Sequence, residues 1–129
     1  MRKENEGKKE CNFMTFDFEK FEVYQKAKFF TKEMSDIAEA LSNKFARIAD
    51  QLIRASLSIP LNIAEGAGRY SKPDKRNFYV IARGSVFECV AIIDMLLEKK
   101  QITADQKEKY YATAEELSKM ISGLINSQR

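Results

Sequence analysis

The chain has 129 residues, 44% of them hydrophobic and 32% charged, with a net charge of +3 and no histidine. That length suits one domain around a single core, and the mix is too apolar for a disordered chain. Five glycines and two prolines leave little turn chemistry for many short strands, so a few long elements are expected.

The first stretch, MRKENEGKKECN, is polar, mixed in charge and without an apolar core, so it does not read as a signal peptide. Residues 1–17 are expected to be a flexible polar tail, and residues 18–126 a four-helix bundle. No apolar run approaches the ~18–20 residues of a membrane span. Cys11 falls in the tail and Cys89 in a strongly apolar segment. A disulfide between them is not expected, and the reading is a cytoplasmic protein.

Four helices follow from the 3.6-residue period. The first is predicted from about Glu19 to Ser42. Its inward stripe takes Phe21, Tyr24, Ala27 or Lys28, Phe30 or Thr31, Met34, Ile37, Ala38 and Leu41. The triplet Ser42 to Lys44 is the best break, because asparagine tolerates the left-handed conformation. The second runs from about Phe45 to Ala67, stopped by Gly66 and Gly68. Ser71, Pro73 and Asp74 suit the start of the third, which continues to about Lys99. Thr103 and Gln106 have the spacing of a capping box and open the fourth. Its stripe is Tyr110, Ala114, Leu117, Ile121 and Leu124 or Ile125. The pattern predicts an all-α fold, an antiparallel up-down-up-down four-helix bundle.

Charge is uneven along this framework. From Lys44 to Arg83 there are eight basic and three acidic residues, +5, which leaves −2 for the rest. The segment either faces a polyanion or consists of solvated faces with internal ion pairs. Lys44, Arg47, Lys72, Lys75 and Arg76 are the candidate phosphate contacts. They are expected to gather at one end of the bundle. Tyr70, Tyr79, Tyr110 and Tyr111 are either stacking residues or edges of the core.

On a wheel of about 100° per residue, Arg47, Gln51, Arg54, Ser58, Asn62, Glu65 and Arg69 share a stripe about 80° wide on the second helix, opposite Ile48, Leu52, Ile59 and Ile63. That stripe is either solvent-facing or part of a polar network. In the third helix, ten of the fourteen residues from Gly84 to Leu97 are apolar. A helix apolar all round needs a second contact surface, so a homo-oligomer is expected. Glu88 lies in that apolar wall, with Arg54, Arg69 and Arg83 as the obvious cations and Gly84 and Ser85 permitting close approach. The expectation is an arginine pair within the bundle or across a subunit boundary; the alternative is protonation or contact with solvent. The structural polar network then comprises Arg54, Ser58, Asn62, Glu65, Arg69, Arg83, Ser85 and Glu88. Pro60 either bends the second helix or interrupts it.

These residues carry a resemblance. Arg-Ala, Ser-Ile-Pro, Asn-Ile-Ala-Glu-Gly and Arg stand at Arg54, Ala55, Ser58 to Pro60, Asn62 to Gly66 and Arg69. Ala-Arg-Gly-Ser and Glu follow at Ala82 to Ser85 and Glu88. The pattern, over about Phe18 to Leu124, resembles the bacterial four-helix-bundle proteins encoded in intervening sequences of 23S ribosomal RNA genes. Leu61 stands where a small residue is usual and Cys89 where leucine is common, and the first loop lacks the usual proline. The resemblance implies a bundle assembled as a ring-shaped homo-oligomer, often a pentamer. It extends distantly to the accessory proteins of diversity-generating retroelements, basic pentameric bundles that bind a reverse transcriptase and nucleic acid. The biochemical function of the intervening-sequence family is largely unassigned, so function follows from it only by analogy.

Three classes of function are weighed. One is a non-catalytic oligomer that binds RNA or DNA through a basic surface. The second is a scaffold that docks a partner enzyme without touching nucleic acid. The third, an enzyme, is disfavoured: the absence of histidine removes the commonest general base and metal ligand, and Cys89 and Ser58 have no base to activate them. A carboxylate site of Glu65, Glu88 and Asp94 would lack the Glu-x-x-His pattern of di-iron bundles. No cofactor, metal or membrane partner is expected.

Overall fold

The computed structural model describes residues 16–129 of the chain. Of the expected tail, only Phe16 and Asp17 fall within that range; Cys11 lies outside it. A short 3-10 turn at Asp17–Lys20 precedes four α-helices: α1 at Glu22–Ala40, α2 at Ala46–Ala67, α3 at Lys72–Glu98 and α4 at Ala104–Asn126. There is no strand among the described residues. Each helix packs on the next and α4 packs back on α1, which closes a four-helix bundle.

The helix ends follow local chemistry. The Ser71 hydroxyl accepts from the Asp74 amide at 3.2 Å, with Pro73 in the first turn of α3. At α4, Thr103 Oγ1 accepts from the Gln106 amide at 3.1 Å, and Gln106 Oε1 accepts from the Thr103 amide at 2.8 Å. This is the expected capping box. The end of α3 uses no glycine. Lys100 takes φ 59°, its amide donates to Leu97 O and that of Gln101 to Leu96 O, both at 2.9 Å. These two bonds satisfy the last carbonyls in a Schellman arrangement.

Two boundaries differ from expectation. Phe21 is extended, with ψ 129°, so α1 begins three residues later than Glu19. That break lets Phe18 meet Tyr24 edge-on at 4.9 Å between ring centroids. Between α1 and α2 no residue is left-handed. Leu41 and Ser42 are extended and Asn43–Phe45 form a 3-10 turn. Chain direction changes here without the asparagine conformation anticipated.

The core takes Ala27, Phe30 and Met34 from α1, Leu52, Ile59 and Ile63 from α2, Tyr79, Val86, Ile93 and Leu96 from α3, and Leu117 and Ile121 from α4. Within α1 the choice falls on Ala27 and Phe30 rather than Lys28 and Thr31. Fully burying each large side chain contributes roughly 1.5–3 kcal/mol. Tyr79 lies against Gly66 so closely that a Cβ there would come within 2.6 Å of its ring. No helix among the described residues is long and apolar enough to cross a membrane.

Candidate functional site

The seam between α2 and α3 holds the polar stripe in three separate groups. At its centre, Asn62 Nδ2 donates to Ser58 O at 2.8 Å and to Ser58 Oγ at 2.9 Å. The buried Ser85 hydroxyl lies 2.9 Å from Ser58 Oγ and 3.1 Å from Ile81 O, with one proton to share between them. Short polar side chains on facing helices thus satisfy one another where the backbones come close. At one end of the seam, Gln51 Nε2 donates to Glu88 Oε2. At the other, Arg69 pairs with Glu65 at 2.7 Å and its guanidinium lies 4.6 Å from the centre of the Phe78 ring.

Pro60 sits inside an unbroken α2, which rules out the reading of two separate helices. Its ring leaves Ser56 O without the usual amide donor. The replacement comes from α1, where Thr31 Oγ1 stands 2.9 Å from that carbonyl. By sequence Thr31 stood only as the alternative to Phe30 in an inward stripe, although the Ser56 carbonyl was visibly the group in need of a donor.

Within one chain Glu88 meets no described arginine and instead reaches solvent, the alternative left open for it. It is exposed on the outer side of α3, and among the described residues it forms no ion pair. Gln51, on the same stripe as Arg54, is its partner instead. Arg83 lies about 140° away around the helix at about 100° per residue. It turns towards α4, where its Nε donates to Ser122 Oγ at 2.9 Å. Arg54 is exposed and likewise forms no ion pair with a described residue.

Around Glu88 the apolar excess of α3 reaches the surface. Ile81 is 50% and Met95 61% exposed; the exposed Leu57 and Leu61 of α2 line a separate groove with Lys28 and Thr31 of α1. Gly84 lies in the middle of the α3 face, and a Cβ added to it would meet nothing within 4 Å. Inside one chain, then, glycine here answers no packing need. This face of α3 is thus apolar and exposed, with the Glu88 carboxylate set in it.

The basic candidates do not gather at one end. Lys44 and Arg47 stand at the start of α2, and Lys72, Lys75 and Arg76 follow its finish. A helix of 22 residues separates the two sets by about 33 Å at 1.5 Å per residue. Lys44, Arg47 and Lys72 are exposed. Lys75 Nζ donates to Ala67 O at 2.9 Å and Arg76 Nη1 to Gln128 O at 2.6 Å, so these two close the ends of α2 and of the chain. Of the tyrosines, Tyr70 is fully exposed, Tyr79 is core, Tyr110 is half-buried and Tyr111 is half-exposed.

Titratable groups in the interior are few. Cys89 is buried and free; burial, with the Glu88 carboxylate nearby, pushes its thiol up to about 12. Glu33 on α1 has its carboxyl raised above the ordinary range by burial, against the opposing pull of Lys109 and Lys26. Its Oε1 is enclosed without a hydrogen-bond partner. Among the described residues no cluster of three or more cysteine or carboxylate side chains could hold a metal ion.

Residues 19–123 match the family described as 23S rRNA-intervening sequence protein. A search of solved structures finds a crystal structure of a protein with unknown function from the S23 ribosomal protein family of Bacteroides thetaiotaomicron VPI-5482. It aligns with a TM-score of 0.75 at 24% identity, over 81% of this chain and 95% of that one. At that identity the likeness concerns the fold. No curated protein matches this chain.

Proposed function

The chain belongs to the 23S rRNA-intervening sequence protein family, and on that footing we propose that it is a non-catalytic, cytoplasmic homo-oligomer that binds RNA or DNA through basic surfaces. The observation that carries this reading is the set of exposed cations Lys44, Arg47 and Lys72, none of which forms an ion pair with a described residue. Such groups are available to phosphates, and the resulting affinity is salt-dependent and largely blind to sequence.

The helices alternate in direction in this proposal. Contacts between α2 and α3 at Gln51 with Glu88, Ser58 with Ser85 and Gly66 with Tyr79 run in opposite order along the two helices, which supports the up-down arrangement. Assembly uses the exposed apolar face of α3 around Gly84, and a ring of five follows the family resemblance. In such a ring, cations at both ends of each bundle are repeated around two rims.

The exposed apolar face also favours a second reading, a scaffold that docks a partner enzyme. Solution mass and binding of bulk RNA at about 50 and 200 mM salt separate the two. The nucleic-acid reading expects an oligomer whose RNA affinity falls steeply with salt, with a slope reduced by about three in a Lys44→Gln, Arg47→Gln, Lys72→Gln variant. RNA binding absent at both salt concentrations leaves the scaffold.

A further inference from the structure

We infer that the groove between α3 and α4 seats one nucleotide of a single-stranded nucleic acid, with its base against Phe87 and Tyr111 and its phosphate at Arg83. This rests on the nucleic-acid reading above and gives it a second, distinct location. The groove has a volume of about 330 Å³ and an apolar floor that includes Val86 and Ala114, at the small end of ligand pockets of about 300–1,000 Å³. Its aromatic residues are open to a ligand: Phe87 is 56% and Tyr111 49% exposed. Every base has a π-face, so an exposed aromatic in a positive groove holds unstacked bases irrespective of sequence.

The cation is already in position. Arg83 is held from two sides, by its Nε bond to Ser122 Oγ at 2.9 Å and by the Phe87 ring centroid 4.8 Å from its guanidinium carbon. It is half-buried and forms no ion pair with a described residue. Its Nη hydrogens are therefore left for an anion, and the planar guanidinium matches two phosphate oxygens. Lys119 adds a second positive charge to the lining against the single acid Glu115. That excess favours a phosphate-bearing ligand over an apolar protein segment. A duplex is excluded because its base faces are already stacked, whereas a single strand can turn a base outward.

The test measures anisotropy of fluorescein-labelled oligouridylate, about 12 nucleotides long, and of an RNA duplex of equal length, with the full chain at about 50 and 200 mM salt. Tyr111→Ala is expected to weaken oligouridylate binding about tenfold at both salts, Tyr111→Phe to retain it, and neither to alter the duplex. Arg83→Gln should reduce the salt slope for the single strand alone by about one. Lys72→Gln should weaken both probes. Unchanged single-strand affinity in Tyr111→Ala, with both probes weakened by Lys72→Gln, overturns the groove and leaves the basic-surface reading standing. A wild-type chain that binds neither probe overturns both.

Discussion

Thr31 on α1 supplies the hydroxyl that faces Ser56 O on α2, 2.9 Å away, at the carbonyl that Pro60 deprives of its helical donor. The same hydroxyl lies 2.8 Å from Ala27 O, so its one proton is shared. Thr31→Val should leave the Ser56 carbonyl unpaired in the interior and cost about 1–3 kcal/mol. In a Pro60→Ala background the restored amide serves that carbonyl, and the cost of Thr31→Val should shrink by about 1 kcal/mol. Urea unfolding of the four proteins of this cycle measures the coupling; additive effects would show that the threonine does not act as the replacement donor.

Gly66 meets Tyr79 at a distance no side chain fits. An added Cβ would come within 2.6 Å of Cε1 and 2.9 Å of Cδ1 of a ring that is 2% exposed. Overpacking of this kind costs about 1–3 kcal/mol, so Gly66→Ala should lower the melting temperature. Tyr79→Leu should make the glycine substitution nearly harmless, since the obstructing ring is gone. An equal loss in both backgrounds would place the cost elsewhere.

Glu33 provides the pH dependence. Burial raises its carboxyl above the ordinary value of 4.5, so the folded chain holds this proton to higher pH than the unfolded chain. Between the two values the native state binds more protons, and stability falls as pH rises through that window. Glu33→Gln removes the effect. The melting temperature of the variant relative to wild type should therefore increase from about pH 4 towards about pH 7, and a constant offset would refute it.

Cys89 should be inert in the native protein. Its thiol is buried and raised to about 12, and alkylation requires the thiolate. In a Cys11→Ser background, iodoacetamide at about pH 8 should leave Cys89 unmodified in buffer and modify it fully in denaturant, as read by mass spectrometry. Rapid native labelling would contradict the packing of α3.

Much of the bundle is legible in the residues themselves. Ser71, Thr103 and Gln106 bond as their spacing demands, and Leu52, Ile59 and Ile63 are buried opposite the polar stripe. The stripe itself is less so. Ser58, Asn62 and Ser85 meet, whereas Glu88 takes Gln51 and Arg83 takes Ser122. A wheel orders residues around one axis and is silent on the rotation of the neighbouring helix. Lys75 and Arg76 show the same limit: their counterparts are the carbonyls of Ala67 and Gln128, groups that every residue carries and no pattern marks.

Helix number, helix ends and the inward stripes arise from short-range causes, the 3.6-residue period and the caps, and these are written into the order of the residues. Which donor rescues the carbonyl beside Pro60, where the surplus apolar side chains of α3 emerge, and how far apart the basic groups stand depend on helices distant in sequence being laid side by side. A hydrogen bond acts over about 3 Å, and only packing brings Thr31 to Ser56 or Gln51 to Glu88 within that reach.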